Sequence, residues 1–406
     1  MKKYRVIDLF SGAGGLTFGF HFNLVNNEFV KRENIEFIFA NEYAPYAAEA
    51  FRKNYPEVNM IEGDIQKITD EDIQKYTHGQ EVDVIIGGPP CQSFSTIGQR
   101  KYDDRAKLSN EYLRILESVK PKMFLFENVK GILSMREIFY KTDDNGEIVL
   151  EDVVRHRGNK TIVKKEPVID HYGDLVMNKL KDEFDRIGYK IVHETKNAYD
   201  FGVPQNRERV IIIGIRKDLN LEWAFPQGVG GRWTVEDAIS DLPEVGENQH
   251  VTNYDKAPSN SYQELMRRNS DSITEHYCGI YGDKIRTVIR HVKEGQGKDD
   301  FNALVDQGII SEDYRLTSGY GNTYGRLIRS KPSPTITNNL STPSGTRCIH
   351  YAQHRALTPR EGARIQSFPD WFQFVGTKDA VTKQIGNAVP PLLAIALINK
   401  IIETLA

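Results

Sequence analysis

Cysteine is scarce in this chain: 406 residues hold three, Cys91, Cys278 and Cys348, with neither the pairing pattern of a disulfide framework nor the spacing of a metal site. A disulfide-stapled secreted scaffold and a zinc finger are excluded, no metal is expected, and a reducing, cytoplasmic setting fits. Long hydrophobic runs are also missing. Nothing approaches the roughly 20 apolar residues of a membrane span, and Met1-Lys2-Lys3 leads into an apolar strand without a signal-peptide core, so a soluble protein with no membrane partner is expected. Neither sign of charge dominates: the formal net charge of −3 argues against a uniformly basic nucleic-acid binder. Internal repeats and low-complexity tracts are absent.

The charge that is present is segregated along the chain. Between residues 315 and 364, Arg315, Arg326, Arg329, Lys331, Arg347, Arg355, Arg360 and Arg364 face one acid, Glu361. A second cluster, Lys284, Arg286, Arg290, His291 and Lys293, contains no acid. Such runs are often plain solvated surface, but interleaving with Tyr320, Tyr324 and Tyr351 favours phosphate and base contact.

The chain is longer than the roughly 250 to 300 residues at which a single core stops growing, so two lobes are expected. The first part alternates strand 5–10, a helix from Gly15, strand 36–41, helix 44–54, strand 82–86, helix 110–119 and strand 123–126. That spacing predicts βαβ units and a parallel sheet with helices on both faces. A charge-rich stretch at 139–171, with Asp143-Asp144-Asn145-Gly146 as a turn between hairpin strands, reads as a surface insertion. Helix 175–187 and strands 190–194 and 209–215 complete this lobe. After Arg216 the alternation fades and Gly, Pro, Asn and Ser become frequent to about Gly345, which suits a smaller, loop-rich lobe. Thr358-Pro359-Arg360-Glu361 opens a helix with an early proline, and 390–405 makes an apolar closing helix. The fold class is α/β, a Rossmann-like sheet with helices on both faces plus the smaller lobe.

Two strand ends carry chemistry. Gly87-Gly88-Pro89-Pro90-Cys91-Gln92-Ser93-Phe94-Ser95 follows a buried strand, so Cys91 stands at the carboxyl edge of the sheet, where ligands bind in open α/β folds, and is a nucleophile candidate. The competing reading is an inert packing cysteine. Asp8-Leu9-Phe10-Ser11-Gly12-Ala13-Gly14-Gly15-Leu16 places a glycine-rich turn between the first strand and first helix, where a ligand approaches the backbone closely. A dinucleotide fingerprint would need glycine at Thr17, and no P-loop lysine follows. Glu42, after the second strand, suits ribose hydroxyls and Asp64 an adenine amine; in this order the set points to a nucleoside cofactor such as S-adenosylmethionine. Glu127 ends the hydrophobic strand 122–129, where burial favours a raised carboxyl pKa.

With Gln205-Asn206-Arg207-Glu208-Arg209 and Gln384-Ile385-Gly386-Asn387-Ala388-Val389-Pro390, these blocks resemble, in the same order, those of the DNA (cytosine-5)-methyltransferase family of bacterial restriction-modification type. The resemblance runs from Tyr4 to Pro391 except for about 221–327, the family's variable target-recognition region. Gly362 stands where relatives often carry cysteine, and the 139–171 insertion is longer than in the smallest members. The resemblance implies a Cys91 thiolate adding to cytosine carbon 6, with Glu127, Arg207 and Arg209 completing the catalytic set. It implies S-adenosylmethionine held by Phe10, Gly12, Gly14, Leu16, Glu42, Asp64, Ile65, Pro90, Leu108, Asn387 and Val389. Gln92, Ser93 and Ser95 would close behind a base flipped out of double-stranded DNA, and Arg326, Arg329 and Lys331 would face the DNA cleft. Cys278 and Cys348 match no role and read as packing residues. The implied domains are 1–220 for catalysis and cofactor, 221–370 for target recognition and 371–406 returning to the catalytic lobe; a monomer and a cognate restriction endonuclease are expected partners in function. A tRNA-methylating relative would carry a Cys-Phe-Thr triplet that this chain lacks. A catalytically silent DNA-binding regulator would have no need of Cys91, Glu127 and Arg209 together.

Overall fold

The computed structural model describes residues 2–90, 106–157, 160–228, 230, 232–345 and 347–406. Its strands are β1 (Tyr4–Leu9), β2 (Phe22–Val25), β3 (Glu28–Lys31), β4 (Ile35–Glu42), β5 (Met60–Glu62), β6 (Val84–Gly87), β7 (Met123–Val129), β8 (Arg136–Tyr140), β9 (Leu150–Arg157), β10 (Lys160–Pro167), β11 (Ile169–Leu175), β12 (Tyr189–Asn197) and β13 (Glu208–Arg216). Seven of them form the central sheet in the order β12-β13-β7-β6-β1-β4-β5. From β7 to β5 neighbours are parallel, whereas β13 runs antiparallel to both β7 and β12. The sheet is therefore mixed, correcting the all-parallel expectation. No crossover helix separates β12 from β13: a short turn, Ala198–Phe201, ending at Gly202 with φ 82°, reverses the chain instead.

Sequence order builds outward from β1 to β4 and β5, then returns across it to β6 and β7. The reversal opens a crevice between the carboxyl ends of β1 and β6, the place where such sheets bind ligands.

Alternate residues of the buried strands feed two cores. Val6, Val84, Ile86, Leu125, Ile211 and Ile213 face one, with helices Pro45–Asn54, Pro359–Ile365 and Pro391–Leu405 packed over them. Ile7, Leu9, Ile85, Phe124, Phe126 and Ile212 face the other, under helices Asp70–Thr77, Ala106–Val119 and Val176–Arg186. Apolar side chains on both faces explain the near-continuous hydrophobic runs of these strands.

The first helix is a single turn, Thr17–His21, because β2 and β3 follow at once. Their hairpin turns on Asn26 and Asn27, both at positive φ, a conformation asparagine tolerates. Within the insertion, Gly146 N–H donates to the Asp143 carbonyl, so the expected turn forms. Its flanks meet only through the Thr142–Ile148 bridge, however; β8 pairs with β11 and β9 with β10.

Beyond β13 the described residues hold helices of ten residues or fewer, the 15-residue closing helix Pro391–Leu405, and no further strand of the sheet. Two small clusters, around Cys278, Ile289 and Ile349 and around Val288, Phe301 and Leu316, form cores of their own. Residues on either side of them, including Val235, Tyr262, Leu357 and Ile365, belong to the larger core. The chain end returns to the start: Gly19 lies so close to Ala394 that a Cβ there would stand 2.6 Å from its carbonyl carbon. Among the described residues no single helix is long and apolar enough to cross a membrane.

Candidate active site

At the end of β1 the chain turns through Phe10 at φ 57°, Gly12 at 57° and Gly14 at 94°. Glu42, closing β4, holds the turn: its carboxylate accepts from the Gly12 N–H at 2.8 Å and the Ala44 N–H at 2.7 Å. Burial raises the Glu42 pKa, and those backbone N–H groups oppose the rise. Each glycine has its own reason. A Cβ on Gly14 would lie 2.2 Å from the Tyr55 ring, whose hydroxyl donates to the Gly14 carbonyl at 2.7 Å. A Cβ on Gly15 would lie 2.5 Å from the Val389 carbonyl oxygen, so the segment after Asn387 forms one wall of the turn. At Gly12 a Cβ would meet nothing within 4 Å among the described residues, so the backbone there lies open toward the crevice.

Asp64 caps the 3-10 turn Ile65–Lys67 by accepting from the Gln66 N–H at 3.0 Å, with Ile65 buried beneath. Leu16 and Val389 are buried, Leu108 is half-buried, and Pro90 and Asn387 are exposed. Behind the turn lies Asp8, a residue whose individual role sequence reasoning missed. It is fully buried, accepts from the Thr17 hydroxyl through Oδ2, and leaves Oδ1 without a partner among the described residues. Desolvation pushes its pKa up to about 8. The available signal was an acid at an inward-facing position of an apolar strand.

On the adjoining strand ends, Glu127 of β7 and Arg209 of β13 form an ion pair, Nε to Oε1 at 2.9 Å, with both side chains nearly buried. Burial raises the Glu127 pKa, while Arg209 and Arg207 oppose the rise. Gly88 lies against this pair, since a Cβ there would stand 2.9 Å from Glu127 Oε2. Asn128 Nδ2 donates to the Pro89 carbonyl at 3.0 Å and so ties the Gly-Gly-Pro-Pro segment to the strand bearing Glu127. Cys91, Gln92 and Ser95 lie outside the described residues; in sequence Cys91 immediately follows Pro90.

Arg207 is a clamp. It is 1 % exposed and donates to the Ile336 carbonyl at 3.1 Å and the Gly386 carbonyl at 2.9 Å. Expected from the resemblance as a member of the catalytic set that anchors its loop or a phosphate, it is bonded here to two segments distant in the chain. Gln205, also missed as an individual residue, is fully buried and fastens the same loop to Ile336 N–H, the Ile365 carbonyl and Gln366.

The sequence was compared with known proteins. The family model for C-5 cytosine-specific DNA methylase matches residues 4–143 and 166–403. The chain belongs to this family. It is 32 % identical to the type II methyltransferase M.DdeI of Desulfomicrobium norvegicum, with 98 % of this chain and 88 % of that protein covered. It is also 32 % identical to M.NgoFVII of Neisseria gonorrhoeae, covering 99 % and 87 %. A solved structure described as a prophage-encoded DNA modification methyltransferase of E. coli superposes with a TM-score of 0.70 at 23 % identity, over 99 % of both chains, which shows the shared fold. The chain is a DNA cytosine-5 methylase.

A DNA methylase must hold phosphates, yet most of the basic stretch 315–364 is engaged elsewhere. Arg326 is 5 % exposed, donates to the carbonyls of Val292, His350, Gln353 and Ile289, and lies in the lining of a cavity that Lys331 also borders. Arg355 pairs with Glu361 through two 2.7 Å bonds, and Arg364 with Asp241 and Asp370; both arginines are buried. Apart from Glu361, the acids that neutralise this stretch come from outside it, which composition within a window conceals. Arg286 of the second cluster likewise pairs with Glu247 and Asp283. Arg329 is half-exposed and pairs with Glu294 at 2.8 Å. Lys331 and Arg347 are exposed and, with Asn206 and Arg326, line this cavity of about 490 Å³.

Proposed function

We propose that this methylase acts on a cytosine extruded from duplex DNA, through a transient covalent bond to Cys91, with S-adenosylmethionine as the methyl donor. The observation that carries the reading is the Glu127–Arg209 pair, held at the carboxyl edge of the sheet against the segment that leads into Cys91.

Carbon 5 of cytosine is a weak nucleophile. Addition of the Cys91 thiolate to carbon 6 pushes the ring electrons toward carbon 5, which can then take a methyl group. Loss of the carbon 5 proton and expulsion of the thiolate restore the double bond. Burial favours the protonated Glu127 carboxyl, which suits donation to ring nitrogen 3, while its other oxygen accepts from the exocyclic amine. Arg209 offers its guanidinium to the cytosine carbonyl oxygen, stabilising charge that develops on attack. Because carbon 6 is inaccessible inside the stack, the base must leave it, a step that takes a few kcal/mol; Gln92 and Ser95 are assigned to the loop behind it.

S-adenosylmethionine, when bound, supplies an electrophilic methyl group. The open backbone at Gly12 and the Glu42 carboxylate fit its ribose and methionine parts, with Phe10, Gly14 and Leu16 around them. Asp64 and Ile65 take the adenine side, and Pro90, Leu108, Asn387 and Val389 the remaining wall. The two small clusters after residue 243 are the target-recognition lobe, and helix Pro359–Ile365 counts with the catalytic lobe. DNA lies along the cavity bordered by Lys331, Arg347 and Asn206, with Arg329 at its margin. The protein works as a monomer and protects DNA against a cognate endonuclease.

The test is base-resolution methylation mapping of unmethylated DNA mixed with tRNA, incubated with S-adenosylmethionine and either wild type or Cys91→Ser. Carbon 5 methylation at one short DNA motif, absent with the variant, supports the reading; methylation that persists in the variant overturns the role of Cys91.

A further inference from the structure

The β9–β10 ribbon is the part of the molecule that the catalytic architecture does not use. The two strands pair over their whole length, from Leu150 opposite Pro167 to Arg157 opposite Lys160, and belong to no other sheet. At 3.2–3.4 Å per residue each strand reaches about 26 Å. The ribbon is rooted beside the active site. From Glu127 the chain passes through the turn Lys130–Leu133 into β8, and the Lys141, Val149 and Val168 backbones knit the β8–β11 pair to the base of β9–β10. It also falls between the two segments that share the family pattern, residues 4–143 and 166–403.

A two-stranded ribbon that nothing covers is marginal in water. Among the described residues Val154 and Val163 stand opposite each other at 54 % and 57 % exposed. The ribbon carries a basic excess: residues 150–167 contain Arg155, Arg157, Lys160, Lys164 and Lys165 against Glu151, Asp152 and Glu166, with Lys165 opposite Asp152 and the three acids all in the half nearer the root. Arg155, 63 % exposed, shares the Glu166 carboxylate near the root, and Lys164 and Lys165 are exposed.

We propose that this ribbon is a DNA-gripping arm that lies against duplex flanking the methylated site. Its partner is a polyanion that carries one charge per roughly 1.7 Å of axis, and a two-stranded ribbon fits the width of the major groove. The arm grows from the edge that must face the DNA, so its basic end meets the backbone beyond the flipped base. Leu150, Val154, Ile162 and Val163 are the exposed large apolar side chains of the ribbon, and an apolar protein partner seated on them would leave Arg155, Lys164 and Lys165 unused.

The test uses the full-length protein and two duplexes centred on its methylation site, one ending close to that site and one extended by about ten base pairs on each side, enough to meet an arm of this length. Wild type should bind the extended duplex more tightly. The triple variant Arg155→Gln/Lys164→Gln/Lys165→Gln should lose roughly tenfold on the extended duplex, with the slope of log K against log salt falling by about 2 to 3. Its methylation of the short duplex and its melting temperature should match wild type, which separates failure of the arm from failure of the catalytic reading. An unchanged slope, or an equal loss on both duplexes, would overturn the proposal.

Discussion

Gly88 and Glu127 leave no room for a side chain between them: a Cβ on Gly88 would stand 2.9 Å from Glu127 Oε2. The carboxylate is also bound to Arg209, and its strand is tied to Pro89 through Asn128, so it has little freedom to retreat. Gly88→Ala should displace the carboxyl group and lower methyl transfer by about a hundredfold, the loss that a misplacement near 1 Å can produce. Single-turnover rates read beside thermal melting check this. A rate close to wild type would show that Glu127 can shift without consequence.

Arg326 and Lys331 should separate stability from DNA binding. Arg326→Gln strands backbone carbonyls in a buried setting, at about 1–3 kcal/mol for each group left unsatisfied, so denaturant unfolding should show a loss of at least 3 kcal/mol. Lys331→Gln should stay within about 0.5 kcal/mol of wild type while lowering the salt slope of DNA binding by about 1. The reverse pattern would make Arg326, rather than Lys331, the DNA contact.

This contrast shows where sequence reading stops. Glycines and prolines near strand ends, and acids closing apolar strands, are local signals, so Gly12, Glu42 and Glu127 were legible together with the sheet edge that gathers them. The carbonyls that hold Arg326, and Asp241 that pairs with Arg364, are distant in the chain. Asp241 lies more than a hundred residues from Arg364, and nothing in the local pattern marks either as half of a buried pair. The reversed β13 was hidden for a similar reason, because strand direction depends on a turn and pairing that alternation alone does not encode. Asp8 was visible as a residue; its burial was not, since the cover comes from the turn and helix that follow it.

Glu361 anchors a second stability prediction. Its carboxylate takes two bonds from Arg355 and also accepts from the Thr358 N–H at the start of helix Pro359–Ile365. Removing one partner of a buried pair leaves an uncompensated charge, so Glu361→Gln should lose about 3–5 kcal/mol. Burial opposes ionisation here, but Arg355 and His350 outweigh it and hold the carboxyl well below its ordinary 4.5. The unfolded chain thus takes up the proton first as the pH falls, and the stabilisation present above about 4.5 is lost on acidification. Unfolding curves between neutral and acid pH should show wild type losing stability more steeply than the variant.

Asp8 has the opposite sign. Its pKa rises from 3.8 to about 8 because burial removes the carboxylate from water, and neighbouring Glu42 adds to the rise against the hydrogen bond from Thr17. Below about 4 both folded and unfolded chains hold the proton, and Asp8 contributes nothing to the pH dependence. Between about 4 and 8 the folded protein retains a proton that the unfolded chain has released, so stability falls as pH rises, by at most about 1.4 kcal/mol per pH unit, and the decline ends once the folded group ionises. Asp8→Asn keeps the shape and an oxygen for the Thr17 hydroxyl while removing the ionisation. Melting temperatures from pH 5 to 9 should therefore decline less in the variant than in wild type. Parallel declines would mean that another group carries the pH dependence and that Asp8 ionises in the folded protein near its ordinary value.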